Sequence, residues 1–67
     1  MKLLVNGKEI EFASHINNVE KLLQELGLTV RTVVVELNRS ILVRDQHGEA
    51  QLKDGDELEI VHFVGGG

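Results

Sequence analysis

No cysteine, proline, tryptophan or tyrosine occurs in the 67-residue chain, and methionine occurs once. Without cysteine, neither a disulfide nor a thiolate metal site can staple a small fold. Without proline there is no proline-rich linker. No segment repeats, and nothing marks a second domain. Long apolar runs are missing as well: stretches such as Val33-Val34-Val35 are far too short to span a bilayer. Residues 1–7 read as a strand and a turn, since no longer apolar stretch or small-residue cleavage site follows. A cytoplasmic location is the default expectation. Clustered positive charge is also scarce. Seven Lys and Arg are dispersed among eleven Asp and Glu, for a net charge of −4. Nucleic-acid binding is disfavoured, because neutralising phosphates needs a clustered basic face. The acidic surface suits a partner with a basic docking face; it also keeps a small domain soluble.

What is present suffices for one small domain. Apolar residues make up 42% of the chain against 27% charged, which argues for a core rather than disorder. A chain this short buries only about 60% of its unfolded surface, so its stability is thin. Asn6-Gly7 lies between Leu3-Leu4-Val5 and the alternating Glu9-Ile10-Glu11-Phe12, a strong hairpin signal. Period two turns Leu3, Val5, Ile10 and Phe12 toward the core and Leu4 away from it. Val19, Leu22, Leu23 and Leu26 then sit at i, i+3, i+4 and i+7, one stripe of a three-turn helix. Asn17 with Glu20 matches a capping box and sets the start to within a residue, and Gly27 supplies the left-handed stop.

Residues 32–37 are β-branched-rich and predict a third strand, followed by a turn at Asn38-Arg39-Ser40. Ile41, Leu42 and Val43 predict a short edge strand. Residues 44–50 are polar and read as a surface loop. Lys53-Asp54-Gly55-Asp56 is a turn, and residues 57–64 are the last strand. Leu58 and Ile60 point inward by alternation; Val61 and Phe63 lie on the other face. The order predicts an α+β domain, one helix on a mixed sheet of four to five strands, with the first and last strands near its centre.

No constellation resembles an enzyme active site. His15, His47 and His62 match no metal spacing, and solvated or hydrogen-bonded roles account for them. Asp54, Asp56 and Glu57 lack the twelve-residue Ca²⁺ loop pattern. Ser14 and Ser40 have no activating context. No Gly-rich segment opens a helix, so there is no phosphate-binding loop. The distinctive feature is the end, Val64-Gly65-Gly66-Gly67. Glycines without Cβ can lie extended in a slot too narrow for side chains, and a free tail can enter another protein's active site. Residues 1–64 are read as the folded domain and residues 65–67 as its flexible tail. Leu4, Val61, Phe63 and Val64, apolar and directed away from the core or along the exit path, are candidate docking residues.

Three segments resemble the ThiS family, the sulfur carriers of thiamine thiazole synthesis with a ubiquitin-like β-grasp fold. They are Leu3-Leu4-Val5-Asn6-Gly7-Lys8, Val35-Glu36-Leu37-Asn38, and Lys53-Asp54-Gly55-Asp56 through Glu59-Ile60-Val61 to Val64-Gly65-Gly66-Gly67. The resemblance implies a non-enzymatic carrier. A ThiF-like adenylating enzyme, using ATP and Mg²⁺, would activate the carboxylate of Gly67. A sulfur donor protein would convert it to a thiocarboxylate, and a ThiG-like thiazole synthase would take the sulfur. Gly65 and Gly66 would thread the partner's channel. The chain itself would bind no cofactor or metal. A cysteine persulfide is excluded as the sulfur site because there is no cysteine. The same tail chemistry would serve the small subunit of molybdopterin synthase, or a ubiquitin-like modifier whose end is bonded to lysines. A plain interaction module with an inert tail is the remaining reading.

Overall fold

A computed structural model describes residues 1–28, 33–43 and 46–62. The elements are β1 (Lys2–Val5), β2 (Lys8–Glu11), α1 (Val19–Glu25), β3 (Val33–Leu37), β4 (Ser40–Leu42) and β5 (Glu57–His62). They form one five-stranded sheet in the order β2-β1-β5-β3-β4. β1 runs parallel to β5, and the other neighbours are antiparallel. The last strand therefore lies at the centre with the first beside it, as the pattern predicted. A mixed sheet carrying, among the described residues, one α-helix is the expected β-grasp.

The hairpin forms where Asn-Gly stands. Asn6 has φ 50° and Gly7 φ 83°, the positive pair that a type I′ turn requires. Leu3 then pairs with Ile10, and Val5 with Lys8. Leu3 and Val5 are buried, as is Phe12 just beyond β2, while Ile10 is half-buried.

Helix α1 begins at Val19, the first residue of the apolar stripe and within a residue of the start that the Asn17 capping box gives, and it ends at Glu25, about two turns rather than three. Its N-cap is Asn18, whose side-chain oxygen accepts from the Lys21 N–H at 2.8 Å. Asn17 instead accepts from the Lys21 ammonium at 3.2 Å. The stop is a Schellman arrangement around Gly27 (φ 74°): Leu28 N–H donates to the Leu23 carbonyl, and Gly27 N–H to that of Gln24. Leu26, the last of the stripe, is thereby left at the C-cap and partly exposed. Val19, Leu22 and Leu23 bury against Leu3, Val5, Val33, Val35, Leu58 and Ile60.

Residues 46–50 form the expected surface loop except at His47. His47 is 2% exposed, so it is not a solvated histidine. The cause is the helix N-terminus, whose first N–H groups lack partners within the helix. Val19 N–H donates to the Ala50 carbonyl and Glu20 N–H to that of His47, both at 3.1 Å. This pulls the loop across the helix end and carries the His47 ring inside. Residues 44 and 45 of the same loop lie outside the described part. The edge strand β4 begins at Ser40, a residue earlier than expected, and Val43 follows it.

Candidate functional site: the central strand and the open sheet face

The glycines follow β5 in the sequence, and β5 is held along both sides. On one side its register with β3 runs from Leu37↔Leu58 to Val33↔His62. On the other, the Leu4 N–H donates to Asp56 O at 3.0 Å, and the Asn6 N–H to Leu58 O at 2.9 Å. At that point β1 turns away, and the Asn6 side chain continues the ladder. Its amide nitrogen donates to Ile60 O at 3.2 Å, while its oxygen accepts from the Ile60 N–H at 2.7 Å. A carboxamide has one donor and one acceptor edge, so it replaces a peptide group in the pairing. The same Asn6 thus shapes the hairpin turn and pins the strand two residues short of His62.

The start of β5 is locked with equal care. Asp56 is buried, and its carboxylate accepts from the Lys53 N–H at 2.8 Å and from the Asn38 amide at 3.1 Å. Asn38, with φ 50°, in turn accepts from the Glu57 N–H at 3.0 Å. Asp54 accepts from the Lys2 N–H at 2.6 Å. The Asp-Gly-Asp turn therefore clamps the first and last strands together.

Alternation divides the sheet into two faces. Leu58 and Ile60 face the helix, and Val61 faces away at 55% exposure, as expected. Leu4 also faces away but is half-buried. Two neighbours escaped the sequence reading. Val34 stands directly opposite Val61, and Ile41 opposite Glu36. Ile41 is 66% exposed, and Val43 beyond it is also exposed. An unbroken Val33-Val34-Val35 run conceals its own alternation; the burial of Val33 and Val35 in the fold fixes the parity that sends Val34 outward. Phe63, Val64, Gly65, Gly66 and Gly67 lie outside the described residues.

On the helix side, a groove of about 450 Å³ opens between the end of α1 and the hairpin. Val5, Ile10, Leu26, Leu28 and Ile60 line it, with Lys8 and His62 at its polar edge. His15 is an exposed loop residue. Among the described residues no three His, Asp or Glu side chains come together as a metal site, and no helix is long and apolar enough to cross a membrane.

Known proteins resemble the chain over its whole length. The model of the ThiS family matches residues 3–67. The sulfur carrier protein ThiS of Bacillus subtilis is 38% identical over 97% of this chain and 98% of its own. A thiamine biosynthesis protein (ThiS) from Geobacter metallireducens, solved by crystallography, superposes with a TM-score of 0.85 at 39% identity, covering both chains completely. Thiazole synthases of Paramagnetospirillum magneticum and Magnetococcus marinus are 46% and 39% identical across this entire chain, which spans only 20% of their length. A shared architecture alone leaves function open. Here the family match runs through both locked ends of β5 and the three glycines beyond it, and the chain belongs to the ThiS family.

Proposed function

We propose that the chain carries sulfur as a thiocarboxylate on Gly67 and delivers it to a thiazole synthase. Membership of the ThiS family makes it a sulfur carrier of thiamine biosynthesis. The observation that carries the finer reading is the extent of the match, which includes Gly65, Gly66 and Gly67.

The chemistry follows from the state of a carboxylate at neutral pH. It is ionised and resonance-stabilised, hence a poor electrophile. Adenylation by a ThiF-like enzyme turns one oxygen into part of a departing AMP, and a sulfur donor then supplies the atom that replaces it. ATP and Mg²⁺ belong to the activating enzyme, which provides the phosphate clamps. The carrier's part is presentation. Its central strand gives the acyl group a fixed base, and glycines let it pass a narrow channel. Leu4 and Val61, together with Val34, supply a grip on the open face; Phe63 and Val64 extend that grip toward the active site.

A thiazole synthase is the favoured acceptor because two relatives bearing that name contain a stretch matching this whole chain. Joining carrier and acceptor in one polypeptide raises their effective concentration without any new contact.

Adding one residue after Gly67 tests the proposal. The extended protein should fold as before and fail to form thiocarboxylate with ATP, activating enzyme and sulfur donor. Conversion of the extended chain at the normal rate would refute the assignment of Gly67.

A further inference from the structure

The open face of the sheet carries a pair of carboxylates that works against folding. Glu36 of β3 stands directly opposite Glu59 of β5. Like charges in that position destabilise a sheet. Among the described residues neither has an ion-pair partner; the Met1 ammonium pairs with Glu11 instead. The surroundings are apolar on two sides. Ile41 stands across from Glu36, and the Val34–Val61 pair occupies the next row on the same face. Alternation adds Glu9, Glu11 and Glu57 to this face, with Lys2 as the cation that the strands place there. Glu36 is half-buried, so its charge is less well hydrated than that of a loop glutamate.

We propose that Glu36 and Glu59 receive a cationic side chain of the docking partner, an arginine set in an apolar patch. The inference rests on the docking reading above and adds the chemistry of the partner's surface. A guanidinium presents donors along more than one edge, so one group can bridge two neighbouring carboxylates. Val34, Val61 and Ile41 would exclude water around it, strengthening the attraction relative to an exposed pair. Repulsion in the free carrier is relieved on docking and returns on release. The face therefore favours a bound state without holding the carrier permanently.

The test compares wild type with Glu36→Gln/Glu59→Gln by calorimetric titration against the purified adenylating enzyme and the purified thiazole synthase, across a salt series. A control, Glu25→Gln/Glu49→Gln, removes the same charge from exposed sites on the helix and the loop. Val61→Asp monitors the apolar part of the face. The inference expects the Glu36/Glu59 variant to bind at least one partner about tenfold more weakly, with a flatter salt dependence. It also expects the free variant to unfold at higher denaturant than wild type, with the control matching wild type in affinity. An equal loss in the control, or unchanged affinity and salt slope in the Glu36/Glu59 variant, overturns the cation site. So does a free variant less stable than wild type. If Val61→Asp loses binding while Glu36→Gln/Glu59→Gln keeps it, the docking face stands and this inference alone fails. Wild-type protein that binds neither enzyme overturns the docking reading and the inference together.

Discussion

The two faces of one sheet obey different rules. Toward the helix, Leu3, Val35 and Leu58 are sealed within the core, and Val5, Val33 and Ile60 nearly so. Away from it, Leu4 and Val34 are half-buried, Val61 is exposed, and glutamates fill the positions between. The same strands carry both sets, a residue apart. Packing dictates the first set, because a close-packed interior feels even one lost methylene. It places few demands on the second, which leaves that face free to be selected for a partner. Glu36 opposite Glu59 shows this most clearly, since no folding requirement favours it.

The largest effect should come from the helix side. Leu58→Ala removes a fully buried side chain from the central strand and should cost about 2–5 kcal/mol, read by urea unfolding. For so small a domain that is much of the total, and loss of folded protein at moderate temperature is expected. A cost below roughly 1 kcal/mol would break the contrast between faces, because exposed sites change by comparable amounts.

Asn6→Ala should come second, at about 1–3 kcal/mol. It removes both bridges to Ile60 and leaves a non-glycine residue at positive φ. Asn6→Gly separates the two causes. Glycine relaxes the turn but restores no bridge, so it should recover only part of the loss. Full recovery would mean that the side-chain ladder contributes nothing.

Val61→Asp should be smallest in stability, under about 1 kcal/mol, and largest in docking. Its unfolding midpoint should stay near wild type while affinity for the activating enzyme or the thiazole synthase falls about tenfold. Equal affinity would sharpen the map by moving the grip to other residues of the face.

Local rules made much of this legible from the sequence. Asn6-Gly7 announces a hairpin because few other pairs tolerate two positive φ values, and Gly27 marks the helix end for the same reason. Alternation placed Leu3, Val5, Leu58 and Ile60 inside, and Leu4 and Val61 outside. The helix start could be read only to within a residue, because Asn17 and Asn18 are adjacent amides and the Asn17–Glu20 spacing also satisfies a capping box. In the fold, Asn18 holds the cap and Lys21 occupies the third helical position. The burial of His47 was not legible. It arises from hydrogen bonds between distant backbone groups, and no property of the polar stretch 44–50 reports them. Asn6's second role was hidden similarly, since its partner Ile60 lies far along the chain. The resemblance to the ThiS family came from three segments, at the two ends of the chain and at Val35-Glu36-Leu37-Asn38, and Asn6, Asn38, Asp54 and Asp56 within them hold β5 in place.

Intact-mass measurement of the protein from its native cells tests the central assignment most directly, with fragmentation to locate any change. The account predicts a population in which one oxygen of the Gly67 carboxylate is replaced by sulfur. That population should vanish in cells lacking the activating enzyme. A mature chain that continues past Gly67 without trimming, or one that never gains sulfur while thiamine is being made, would contradict it.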